Sequence, residues 1–267
     1  MTKRKKVDND NVLGSKKQKS DANPWLDAVE VGDNDLVYKM KNVYKQIQDA
    51  KDSGVTFVSL MHNNIAEHAP ATAAAFKDSG VTSVYLSDNN IAEHAPATAA
   101  AFKDSGVTSV NLGSNNIAAH APATAAAFKD TGVTSVDLNF NNIAENAPAT
   151  AAAFKDSGVT SVNLWDNNIA GHAPATAAAF KDSGVTSVDL GSNEISLEDS
   201  LQILKTFQDE DNTITRLAID HSQDPAFVQL LNAPREYIES ANESEQLGLN
   251  QDVLGLIGEY ITLDIFE

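Results

Sequence analysis

One feature limits the fold more than any other: the chain returns to the same residues every 26 positions, with Phe76, Phe102, Phe128, Phe154 and Phe180 spaced by that period. A fixed period of roughly 20 to 50 residues marks stacked units that each bury an apolar face against a neighbour, rather than one globular core. Units begin at Gly54, Gly80, Gly106, Gly132 and Gly158, and a further one begins at Gly184 and diverges after Ile195. Each carries the segment Val-x-x-Val-x-Leu-x-x-Asn-x-Ile, for example Val81, Val84, Leu86, Asn89 and Ile91. The run from Val84 to Leu86 alternates with period 2, which predicts a short strand with one buried face. Residues 96–104 predict a helix, with Pro96 in the first turn, where its missing N–H costs nothing, and Gly106 beyond the end, where a positive φ turns the chain into the next strand. A helix of about nine residues is marginal alone even when rich in alanine. Burial of Phe102 and its equivalents, worth roughly 1.5 to 3 kcal/mol each, must hold it. Asn63, Asn89, Asn115, Asn141, Asn167 and Asn193 fall at the strand exits and are expected to stack as a ladder, each amide offering donors and acceptors to backbone groups. A weaker strand is expected over 214–219.

This pattern resembles the leucine-rich repeat, L-x-x-L-x-L-x-x-N-x-L, with Val or Ile at some positions, from residue 54 to about 220. The unit is most similar to the helix-bearing ribonuclease-inhibitor type. That resemblance implies an α/β fold, a right-handed and curved leucine-rich-repeat solenoid with a parallel β-sheet on the concave face and helices on the convex face. Near-perfect repetition, a basic start and an acidic end add a narrower similarity to secreted leucine-rich-repeat effectors of intracellular bacteria, Legionella-like and Gala-type ones. The domains then read as a disordered basic tail (1–23), an N-terminal helical cap (24–53), the repeats (54–220) and a C-terminal helical cap (221–267). In the first cap Leu36, Val37, Met40, Val43, Tyr44 and Ile47 have helical spacing. In the second, short helices are expected over 225–231, 234–241 and 251–261.

Charge and composition narrow the partner class. The formal net charge is −18, yet residues 1–20 carry seven Lys or Arg against Asp8 and Asp10, which leaves a strongly acidic body. Such a body repels phosphate backbones, so nucleic acid is not an expected partner, and basic or mixed protein surfaces are. No stretch has the roughly 20 consecutive apolar residues of a membrane span, and no secretory signal is evident, so the expectation is a soluble, monomeric protein made in the bacterial cytoplasm, without membrane contact. Lys3-Arg4-Lys5-Lys6 and Lys16-Lys17-Gln18-Lys19 resemble a two-part nuclear-localisation signal; the plainer reading is a solubilising tail. With no Cys, thiolate metal sites and cysteine nucleophiles are excluded.

Because the units are copies, their differences show where one unit does something its neighbours do not. Phe57, Ser59, Met61 and His62 become Ser83, Tyr85, Ser87 and Asp88, then Ser109, Asn111, Gly113 and Ser114, then Ser135, Asp137, Asn139 and Phe140, then Ser161, Asn163, Trp165 and Asp166. These positions alternate with the buried Val and Leu and should face outward from the sheet. Free drift of exposed residues predicts equal change on the helices, but Lys77 and Asp78 recur as Lys103 and Asp104, Lys129 and Asp130, and Lys155 and Asp156. The partner-binding set is therefore Phe57, Met61, His62, Tyr85, Asp88, Asn111, Asp137, Phe140, Asn163, Trp165, Asp166 and Asp189. Its aromatic and Met residues suit interface anchors, and its Asp residues suit a partner's Lys or Arg.

Catalytic chemistry finds no constellation. His68, His94, His120 and His172 recur at one position, with Asn146 in their row, but a row of ligands does not converge on one ion. Glu67 beside His68 and Glu93 beside His94 are better read as products of duplication. No phosphate-binding glycine loop, zinc-protease helix or nucleophile elbow is found. The expectation is no enzyme, no cofactor and no metal. The function read from sequence is recognition of another protein, an enzyme or a second effector, on the concave face. The resemblance to ribonuclease inhibitor implies inhibition by covering an active site. The alternative is an adaptor recruiting a target to a host ubiquitin ligase: residues 247–257, from Leu247 to Ile257, resemble the opening helix of an F-box, although the usual proline is absent. Glu236, Glu239, Glu243 and Glu245 are similar to the Glu-rich export signal of type IV secretion, which implies delivery into a host cell.

Overall fold

The computed structural model describes residues 34–207, 212–220 and 264–265. Helix α1 (Asn34–Ser53) precedes strand β1 (Phe57–Ser59). The chain then alternates through α2 (Ala69–Ala74), β2 (Ser83–Tyr85), α3 (Ala95–Ala100), β3 (Ser109–Asn111) and α4 (Ala121–Ala127). It continues through β4 (Ser135–Asp137), α5 (Ala147–Ala153), β5 (Ser161–Asn163), α6 (Ala173–Phe180), β6 (Ser187–Asp189), α7 (Leu197–Thr206) and β7 (Arg216–Ala218). A last strand, β8, spans Asp264–Ile265. The described strands form one parallel sheet in chain order. Val58, Val84, Val110, Val136, Val162 and Val188 sit opposite one another on consecutive strands, so each step across the sheet is one repeat.

The core lies between sheet and helices. In the second unit Val81, Val84, Leu86, Ile91, Ala95, Ala99 and Phe102 are fully buried, and the same positions are buried in the next three. Phe76 stacks on Phe102 with ring centroids 6.3 Å apart, and Phe154 on Phe180 at 6.4 Å. α1 closes one end with Met40, Val43, Ile47 and Ala50, spaced by three and four residues so that they share one face. Tyr44 Oη donates to the carbonyl of Ala71 at 3.2 Å.

The helix expected over 96–104 is shorter than read. It follows a 3₁₀ turn at Ala92–His94 and ends at Ala100. Beyond that point the bonds tighten to three-residue spacing, from Phe102 N to Ala99 O and from Ser105 N to Phe102 O. Asp104 at φ 59° and Gly106 at φ 79° both turn the chain left-handed. The Ser105 hydroxyl fixes this reversal, donating to Phe102 O at 2.6 Å and accepting from Val107 N at 3.1 Å. A 26-residue unit must return to its next strand, and the buried Phe102 fixes where the return starts.

The asparagine ladder is present, but its ends differ from expectation. Asn141 is fully buried; its Nδ2 donates to the carbonyls of Leu112, Leu138 and Asn139, and its Oδ1 accepts from Asn115 N at 3.0 Å and Ile117 N at 3.1 Å. Asn89, Asn115, Asn167 and Asn193 are likewise fully buried. Asn63 is not; it is half-buried, its Nδ2 donates to Met61 O, and its backbone N–H donates to Asn89 Oδ1. At the far end Asp220 takes the acceptor role, receiving Asn193 N at 3.1 Å and Ile195 N at 2.8 Å.

Beyond the three short helices expected in the C-terminal cap, β8 pairs in parallel with β7 and adds a strand to that edge. The helices expected over 225–231, 234–241 and 251–261, the basic tail and the F-box-like segment lie outside the described residues. No helix among the described residues is long and apolar enough to cross a membrane.

Candidate functional site: the outer face of the sheet

The side chains that vary between units sit on the sheet surface opposite the helices. Phe57, Tyr85 and Phe140 are 46%, 36% and 47% exposed, and Met61, His62 and Asp88 are exposed too. Asn111, Asp137, Asn163, Trp165, Asp166 and Asp189 are half-buried. Two aromatic pairs form. Phe57 meets Tyr85 edge-on with centroids 4.9 Å apart, and Phe140 meets Trp165 edge-on at 4.7 Å. His62 Nδ1 lies 3.8 Å from Asp88 Oδ2 in the next unit. A shallow groove opens beside the first pair, between α1 at Gln46, Asp49, Ala50 and Ser53 and β1 at Phe57 to Ser59.

One expectation needs correction. At the position two residues after the strand, expected to face outward, Met61 is exposed and Asn139 and Trp165 are half-buried, but Ser87 is 6% exposed and Gly113 is buried. The reason is that long side chains lean along the stack. A Cβ on Gly113 would lie 1.8 Å from Asn139 Oδ1, and one on Gly191 would lie 3.1 Å from Trp165 Cδ1. Trp165 is therefore only half-exposed, laid over Gly191 and against Phe140. Asn139 and Gly113 belong to the varying positions expected on this surface but not to the partner-binding set, and Gly191 is an addition that the geometry makes. In that row the glycines stand one unit beyond or before a longer side chain, Gly113 beside Asn139 and Gly191 beside Trp165.

Between the aromatic pairs runs a polar row. Ser87 Oγ donates to Asn111 Oδ1 at 2.6 Å, and Asn111 Nδ2 donates to Asp137 Oδ2 at 2.7 Å. Asp137 Oδ1 also accepts from Asn139 N at 3.0 Å, and Asp189 Oδ1 accepts from Gly191 N at 2.9 Å. Burial pushes the carboxyl of Asp137 above the ordinary range, and Asp189 adds repulsion; the hydrogen bonds from Asn139 and Asn163 oppose the shift. Burial raises Asp189 in the same way, helped by Asp220 and opposed by Gly191 N. Neither carboxylate forms an ion pair with a described Lys, Arg or His.

Away from the sheet, His68 lies 3.7 Å from Glu67 and His94 lies 4.0 Å from Glu93, on the 3₁₀ turns. Among the described residues no group of three His, Cys, Asp or Glu is placed to hold a metal ion.

No protein-family model and no curated protein matches this chain. Among solved structures it is similar to the leucine-rich repeat-containing protein LegL7 from Legionella pneumophila, at 20% sequence identity and a TM-score of 0.51, with 84% of this chain and 77% of that one covered. The fold is that of a leucine-rich-repeat solenoid. In this architecture the parallel sheet lines the concave wall and the helices the convex one, so the two aromatic pairs and the polar row all stand on the concave wall.

Proposed function

We propose that this chain is a non-catalytic recognition module whose concave wall docks a partner protein. One observation carries the reading: the copies keep their helices and core while diversifying this wall, and they put bulky residues where the backbone disfavours them. The turn position held by His62, Asp88, Ser114, Phe140, Asp166 and Ser192 has a positive φ in every unit, at 52° for Phe140. Asp and Ser side chains bond locally and tolerate that region, whereas a bulky ring there is strained. Strain of this kind is a reason to look for function at the residue that bears it. The partner-binding set is Phe57, Met61, His62, Tyr85, Asp88, Asn111, Asp137, Phe140, Asn163, Trp165, Asp166 and Asp189, with the two aromatic pairs as anchors.

We read the setting as that of a bacterial effector, exported by a type IV system, that inhibits a host or bacterial enzyme by covering its active site. The shared fold with a Legionella protein supports the setting. The breadth of the wall supports the mechanism, since six strand spacings of about 4.8 Å make a surface about 29 Å across.

The test is capture from host-cell and source-cell lysates by the wild type and by a Tyr85→Ala, Trp165→Ala variant. The protein lost from the variant is then identified by mass spectrometry, purified and titrated against both. The expected loss is about 100-fold in affinity, as for truncated hot-spot aromatics, with unfolding weakened only by the two lost edge-on ring contacts, roughly 0.5 to 1.5 kcal/mol each. Equal affinity for the variant moves the interface off the wall. Loss of the partner's activity at one equivalent of the chain would establish inhibition, and full retention would discard it.

A further inference from the structure

The strand register places Tyr85, Asn111, Asp137, Asn163 and Asp189 opposite one another on five consecutive strands. They form one straight row across the wall in which an aromatic ring and two carboxylates alternate with asparagines. Tyr85 and Asp137 are two strands apart, and so are Asp137 and Asp189. With strands about 4.8 Å apart, each interval is about 9.6 Å.

That interval selects a ligand conformation. A polyproline II helix has three residues per turn and rises about 3.1 Å per residue, so its like-facing side chains recur about every 9.3 Å. An extended β-segment repeats at about 6.7 Å, which meets neither interval. An α-helix comes back into phase near its seventh residue, at about 10.5 Å, and drifts by about 2 Å over the two intervals. Only the polyproline repeat stays within about 1 Å over the whole row.

The side chains agree with that conformation. Aromatic-lined grooves are the usual receptors of polyproline segments, and Phe57 with Tyr85 and Phe140 with Trp165 flank the row. Charge fixes the rest. Asp137 and Asp189 face the open side without a described cation, while Asn111 holds Asp137 in place through its amide. Ala218, opposite Asp189 on β7, bounds the row at that end.

We propose that the row receives a polyproline II segment of the partner, with an apolar residue on Tyr85 and a Lys or Arg at the third and sixth positions from it, on Asp137 and Asp189. This rests on the concave wall being the binding surface and adds the conformation and spacing of what binds. The apolar side chain packs against the exposed surface of the Tyr85 and Phe57 ring pair. The cationic side chains supply the charge that the two carboxylates lack.

The test uses three fluorescein-labelled peptides titrated into the full chain by anisotropy: Leu-Pro-Pro-Arg-Pro-Pro-Arg, its reverse-order form Arg-Pro-Pro-Arg-Pro-Pro-Leu, and the isomer Leu-Pro-Arg-Pro-Arg-Pro-Pro. All three have the same composition and favour the same conformation, so only spacing and direction differ. One of the first two is expected to bind about tenfold tighter than the isomer, or more. That difference should vanish in an Asp137→Asn, Asp189→Asn variant whose circular dichroism is unchanged. Equal affinity of all three peptides, or a preference that survives in the double variant, overturns the proposal. Either result does so even when the wall captures a protein through Tyr85 and Trp165, so failure of this inference is distinguishable from failure of the recognition reading.

Discussion

At the scale of single residues, the asparagine ladder and the carboxylates on the wall carry opposite kinds of energy. Asn141 satisfies backbone groups of its own unit and of the one before, all of them buried. Asn141→Ala leaves several of these without partners and should cost about 3 kcal/mol or more in urea unfolding. Asn63→Ala removes one half-exposed hydrogen bond and should cost about 1 kcal/mol or less. Comparable losses would mean that burial of the rung is not what stabilises it. The type of rung was legible because Asn recurs in phase with the strands. Its terminal acceptor was not, because the register puts Asp220 opposite Gly191, two positions before the asparagine row, and only geometry shows its carboxylate reaching Asn193 and Ile195. Asp137 works the other way. Its folded-state carboxyl is raised above the ordinary range, so its ionisation opposes folding. The stability it contributes is complete below the unfolded-state range and is lost as pH rises through the raised folded value. Asp137→Asn should therefore gain on the wild type in unfolding free energy at neutral pH. That gain should shrink as the pH is lowered into the ordinary carboxylate range. A difference independent of pH would show that the aspartate does not titrate in this way.

At the scale of elements, each unit is a strand, a left-handed turn, a helix and a second left-handed turn, and only the first turn is allowed to vary in bulk. The residues in phase with Phe76 and Leu60 showed that a helix and a strand alternate. They did not show where the helix stops, because an Ala-Ala-Ala-Phe run has high helix propensity throughout and the tightening after Ala100 is imposed by the return to the next strand. Nor did a single unit reveal that Trp165 lies over Gly191, since that contact exists only between neighbouring strands. The first turn offers a direct test of whether its bulk serves recognition. Phe140 occupies a position where other units hold Asp88 and Asp166 at nearly the same φ. Phe140→Asp loses an edge-on ring contact worth roughly 0.5 to 1.5 kcal/mol and relieves a left-handed strain of roughly 1 to 2 kcal/mol. Thermal stability should stay level or rise while affinity for the captured partner falls at least about tenfold. A clear loss of stability would make Phe140 a structural residue of the turn.

At the scale of the whole molecule, the fold depends on the period and the binding surface depends on which units stand next to which. Stability in such a stack is approximately the sum of unit terms and nearest-neighbour interfaces. Adding a unit should therefore strengthen the fold while altering every spacing that crosses it. A second copy of residues 106–131 inserted after Thr131 tests this cleanly, because the new junction joins Thr131 to a glycine as the native one does. The copies also place Gly113 beside Gly113, with Asn139 still leaning over a glycine, so no new steric conflict arises. Circular dichroism should keep its shape, and the urea dependence of unfolding should steepen with the extra buried surface. Tyr85 and Asp137 then stand three strands apart instead of two, at about 14 Å, while Asp137 and Asp189 keep their interval. The peptide with an apolar residue three positions from its first arginine should lose the leucine's contribution and bind no better than its Leu→Ala form, although both arginines still reach their carboxylates. A more stable protein that binds this peptide less well would separate the scaffold from the site. Undiminished leucine-dependent binding would mean that the apolar residue is held somewhere other than Tyr85.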